Sequence, residues 1–65
     1  MRFIALHQSV RGEDALRFTD PRNITYILVV NDAMEEIGRL SESCLLDGIA
    51  RLGMGATLRA ILLLH

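Results

Sequence analysis

The sequence predicts a small α+β domain that works as a homo-oligomer, and three observations predict it. Short β-compatible runs fill the first half of the chain, at about 2–8, 15–19 and 24–30. A helical apolar periodicity follows over 33–52. The chain then runs into an aliphatic stretch, Ala60-Ile61-Leu62-Leu63-Leu64, ahead of His65. At 65 residues this is a single domain, 1–65, of a size that buries only about 60% of the surface its unfolded form exposes.

The first run places Phe3, Ile4 and Leu6 beside Arg2 and Gln8. Val10-Arg11-Gly12-Glu13-Asp14 reads as a turn, because it is polar around a glycine. In 15–19, Leu16 and Phe18 alternate with Arg17, which predicts a half-buried strand. Asp20-Pro21-Arg22-Asn23 reads as a tight turn, with Pro21 fixing φ at its second position. Residues 24–30 form the clearest strand: β-branched, aromatic, and apolar on both faces from Ile27 onward. Such a strand sits centrally or is covered on both sides. Together the three runs predict an antiparallel β-meander.

Asp32-Ala33-Met34-Glu35 fits a capping box, with Asp32 as N-cap and Glu35 reaching back to it. Met34, Ile37, Leu40, Cys44, Leu45, Ile49 and Leu52 then share one face of an amphipathic helix over 33–52. Glu35–Arg39 and Asp47–Arg51 are favourable four-apart pairs, and Gly53 is a natural stop. Gly38, Ser41, Ser43 and Gly48 are poor helix residues. They support a second reading, a short strand at 37–41 with the helix starting at Ser43. The single or kinked helix packed on the meander is preferred. After Gly53-Met54-Gly55, residues 57–64 are a strand or a second helix, with a return strand slightly favoured.

A domain this small usually needs a disulfide, a metal or a partner subunit. The lone Cys44 excludes an internal disulfide, and two histidines with one cysteine make a poor structural zinc set. An apolar content of 51% then points to oligomerisation. The candidate interface is Leu58, Ile61, Leu62, Leu63 and Leu64.

The net charge is −1, and all seven basic residues are arginine. No electrostatic footprint for nucleic acid or anionic lipid stands out. Arg2, Arg11, Arg17 and Arg22, set against Glu13, Asp14 and Asp20, are the candidate contacts for a partner or nucleic acid. Met1–Leu6 begins like a secretion signal, but His7 and Gln8 end the apolar stretch early. No run reaches the roughly 20 residues of a membrane span. The expectation is a cytoplasmic protein, for which the Asn23-Ile24-Thr25 sequon carries no meaning.

No constellation for chemistry emerges. Gly53-x-Gly55 lacks the third glycine of a dinucleotide fingerprint, Leu58 standing there, and a P-loop lysine is absent. Ser41 and Ser43 have no glycine elbow. Nothing in the sequence ties His7 to either serine. Cys44, on the apolar helical face, reads as a small inert hydrophobe. Glu35, Glu36 and Glu42 read as a solvated face. The expected function is therefore a non-catalytic, cofactor-free binding or regulatory protein, of a bacterial or phage accessory kind, that docks to another macromolecule.

Two stretches resemble known families. Ile27–Asp32 is similar to the first strand of receiver domains, but Asn31 stands at that pattern's first acidic position and the chain is far shorter than that fold. Residues 25–64 resemble a ribbon–helix–helix repressor: a strand, a helix, a turn at Gly53 and a second helix. That resemblance implies a nucleic-acid-binding regulator, with the strand reading DNA.

Overall fold

The computed structural model describes residues 2–19 and 26–65. Its elements are β1 (Phe3–His7), α1 (Gly12–Thr19), β2 (Tyr26–Val30), β3 (Glu36–Ser41), α2 (Glu42–Leu52) and α3 (Leu58–Leu64). The fold is α+β, with three helices among the described residues: α1 stands where a strand was expected, and α3 is the helical alternative for 57–64. The strands lie in the order β1-β2-β3, with β1 parallel to β2 and β2 antiparallel to β3. The predicted turn at Asp20–Asn23 and the sequon at Asn23–Thr25 fall outside the described residues.

The antiparallel meander is corrected to a mixed sheet. Parallel neighbours require a crossover, and α1 lies in that connection. The run 15–19 is therefore helix, not strand. Glu13 and Asp14 stand in the first turn of α1 and Arg17 in its last, the placement that a helix dipole favours. Ala15 and Thr19, four apart, face inward and are buried. The Thr19 hydroxyl donates to the Leu16 carbonyl at 3.1 Å, so this buried polar group is satisfied.

The strand β2 is central, as its two apolar faces required. Ile4, Ile27 and Leu40 align across the three strands, as do Leu6, Val29 and Gly38. This row packs against Ala15 of α1, Leu45 of α2, and Leu58 and Ile61 of α3. All three helices thus contribute to one core on one face of the sheet.

The predicted helix over 33–52 is corrected as well: its first part is a hairpin. Asn31 and Glu35 pair across the loop, Asn31 N–H donating to Glu35 O at 3.0 Å. The Asn31 Oδ1 accepts from the N–H groups of Ala33 (2.9 Å) and Glu35 (3.0 Å). Asn31, not Asp32, organises this segment, and it builds a turn rather than a helix cap. The loop Asp32-Ala33-Met34 closes with Met34 at φ 62°, the left-handed position that three-residue hairpin loops require. The expected Glu35–Arg39 pair is replaced by Glu36–Arg39.

The second reading of this region is close to the structure: β3 covers 36–41 and α2 begins at Glu42. Ser41 caps α2, its side chain accepting from Cys44 N–H at 3.2 Å. Gly53 ends it at φ 100°, with its N–H on the Ile49 carbonyl. The segment 57–64 is helix rather than strand: Thr57 accepts from Ala60 N–H at 3.2 Å, which fixes the first turn.

A docking surface on the uncovered sheet face

Side chains alternate across a strand, so the second row of the sheet points away from every helix. On β1 this row is Phe3, Ala5 and His7, on β2 Tyr26, Leu28 and Val30, and on β3 Arg39 and Ser41; Val30 is buried, so the open part of the face lies toward Phe3 and Tyr26. Phe3 is 60% exposed, and Ala5 and Arg39 are also exposed. Tyr26 and Leu28 are half-buried.

Register builds the geometry of this face. Phe3 stands directly beside Tyr26, Ala5 beside Leu28, and Leu28 beside Arg39. Phe3, Tyr26, Leu28 and Arg39 line a recess of about 190 Å³. Two aromatic rings and a leucine form its walls, and a guanidinium stands at its rim. The Arg39 Nε donates to Glu36 Oε2 at 3.1 Å, so that rim is close to neutral. The recess can hold an apolar or aromatic side chain. Tyr26 and Leu28 were legible as apolar strand residues; the alignment with Phe3 and Arg39 depends on parallel pairing that the sequence did not reveal.

The expected interface residues are divided by the fold. Leu58 and Ile61 are fully buried in the chain's own core, where no partner reaches them. Leu62 is half-buried and packs against that core. Leu63, 81% exposed, and Leu64 point outward. The run is apolar chiefly because α3 completes the intramolecular core.

The candidate arginines that are described sit on different parts of the fold. Arg2 precedes β1 and Arg11 follows it, so they lie at opposite ends of that strand. Arg17 is on α1, 3.9 Å from Asp14. Arg22 falls outside the described residues. The strand of the ribbon–helix–helix resemblance, β2, is paired on both edges, whereas a ribbon strand must leave an edge for its partner copy.

One polar cluster escaped the sequence reading. His7 ends β1, and its Nε2 lies 2.7 Å from Asp32 Oδ1, while its Nδ1 lies 2.7 Å from Ser9 Oγ. The parallel pairing of β1 and β2 brings the ends of both strands together and so joins residues 25 apart in sequence. A serine, an imidazole and a carboxylate in contact invite comparison with a hydrolase triad. The arrangement is that of a surface turn. Ser9 donates its own backbone N–H to the same Nδ1 at 3.1 Å, so the Ser9–His7 contact is local. The nitrogens are also used in the reverse sense, since a triad presents Nε2 to the serine. The Asp32 side chain is 91% exposed, where water competes for it and the pair contributes about 1 kcal/mol at most.

Cys44 is half-buried on α2 and packs against the core. Among the described residues no group of three His, Cys, Asp or Glu could hold a metal ion. No helix among them is long and apolar enough to cross a membrane. The chain matches no family model, no curated protein and no solved structure.

Proposed function

We propose that this chain is a non-catalytic binding protein that acts as a homo-oligomer and docks to another macromolecule. The observation that carries this reading is the one-sided sheet. All three helices build one core, and the opposite face is left with Phe3 and Ala5 exposed and Tyr26 and Leu28 half-buried. A strand apolar on both faces is normally covered on both sides, so a second layer from another chain completes the arrangement. The chain's size argues the same way, because the core cluster holds seven buried apolar side chains among the described residues, which is small for a domain standing alone.

Binding rather than catalysis is supported by the form of the surface. It is open and apolar, and its one charged pair, Arg39–Glu36, is internally neutralised. Sedimentation equilibrium over a wide micromolar range tests the reading. A particle larger than one chain, growing with concentration, is the expected result. A folded monomer at every concentration contradicts it.

A further inference from the structure

We infer that the homo-oligomer is a two-fold dimer joined sheet to sheet, with the Phe3 ring of each copy packed against the recess that Phe3, Tyr26, Leu28 and Arg39 of the other line. This inference rests on the homo-oligomeric reading above and names its surface.

A two-fold contact uses one patch twice, so the patch must carry both a projection and a place to receive it. The uncovered face carries both. Phe3 is the most exposed large apolar side chain in its outward row, and one side of it walls the recess together with Tyr26, Leu28 and Arg39, so two Phe3 rings can pack against each other's recess across the axis. Ala5 is the smallest side chain in the row and is aligned with Leu28. It leaves room for a ring arriving from the opposite copy. Stacked sheets lie about 10 Å apart with their side chains interdigitated, which the alternation of Phe3 and Ala5 along β1 allows.

Charge fits a second copy as well. Among the described residues the recess is lined by one charged side chain, Arg39, with Glu36 at 3.1 Å. The described patch thus carries one charge of each sign. A copy turned by two-fold symmetry can bring each against its opposite, whereas a strongly charged partner gains nothing here.

The area sets the strength. Three strands about 4.8 Å apart and five residues at about 3.3 Å each give a footprint of roughly 14 by 17 Å, or about 240 Å². Side chains standing off the sheet enlarge the buried surface, but it stays below the roughly 800 Å² per partner of a standard interface. The dimer is therefore weak and concentration-dependent, and the aromatic anchors carry most of its energy.

The rival seam is α3, where Leu63 is 81% exposed. Sedimentation equilibrium of the full chain with Phe3→Ser, Ala5→Arg and Leu63→Ser separates the two. All three positions are exposed, so the circular dichroism spectra should match that of the unmodified protein, with melts compared in dilute solution because association itself raises the melting point; either folded sheet variant is a sufficient test. Phe3→Ser and Ala5→Arg should each raise the dissociation constant by about tenfold or more, and Leu63→Ser should leave it unchanged. A dimer dissociated by Leu63→Ser but indifferent to both sheet variants overturns the inference while leaving the homo-oligomer intact. An unmodified chain that stays monomeric throughout overturns both.

Discussion

Ile61 of α3 lies against the bare backbone of Gly48 in α2. A Cβ built on Gly48 would sit 2.4 Å from Ile61 Cγ2 and 3.1 Å from Ile61 Cβ. The second contact is with the branch point of a buried side chain, not with a flexible tip. The two helices approach this closely only because residue 48 has no side chain. Gly48→Ala gains about 1 kcal/mol of helix propensity but overpacks the crossing, which costs roughly 1–3 kcal/mol or more. The expected net effect in urea denaturation is destabilisation. Ile61→Ala in the same chain should relieve the clash, so the double-mutant cycle should show the two changes costing less together than their sum.

Met34 holds a left-handed backbone at φ 62°, which an L-residue adopts at a cost of roughly 1–2 kcal/mol. Its side chain is exposed and outside the core cluster, so nothing in packing offsets that cost. Met34→Gly should therefore raise stability, by up to about 1 kcal/mol after the glycine's own entropy is counted. Met34→Val, β-branched at the same angle, should lower it. A melt series in which glycine destabilises and valine does not would contradict this account of the hairpin.

Removal of residues 60–65 deletes Ile61, fully buried, and Leu62, which packs on the core. A fully buried aliphatic side chain contributes about 1.5–3 kcal/mol. The total stability of an ordinary small domain is only about 5–15 kcal/mol, and α3 would lose all but its first two residues. The truncated chain should give no cooperative thermal transition. A cooperative melt close to that of the full chain would mean that α3 is not part of the core.

Residue patterns reveal some of this fold and hide the rest for definite reasons. The run at 26–30 reads correctly as a central strand because its apolar character on both faces is a local signal. Gly53 reads correctly as a helix stop for the same reason. The helix α1 is hidden because its buried positions are Gly12, Ala15 and Thr19, three small residues with little hydropathic contrast. The larger Leu16 and Phe18 fall two apart and imitate a strand, yet Phe18 is exposed.

In β3, Ile37 and Leu40 imitate a helical three-residue step. The informative residue there is Gly38, whose missing side chain makes room for Leu62: a Cβ on Gly38 would lie 2.8 Å from Leu62 Cδ2. That contact spans 24 residues and leaves no trace in local periodicity. The docking surface is legible only in part. Strand β2 announces two apolar faces, but which stays uncovered depends on where three helices pack. Of the residues expected at a C-terminal interface, Leu58 and Ile61 are taken up by the core, because their intramolecular partners lie far away in the sequence.

Tyr26 is the only tyrosine, and the chain has no tryptophan, so intrinsic fluorescence reports on the uncovered face alone. Its quenching by iodide, followed across a dilution series, tests most directly whether a second chain covers that face. Quenching should be efficient in dilute solution and fall as concentration rises through the range where particle mass doubles, and Phe3→Ser should shift both changes together to higher concentration. If particle mass doubles while Tyr26 stays equally open to iodide, the chains meet elsewhere, and the claim that this face is the site of docking is contradicted.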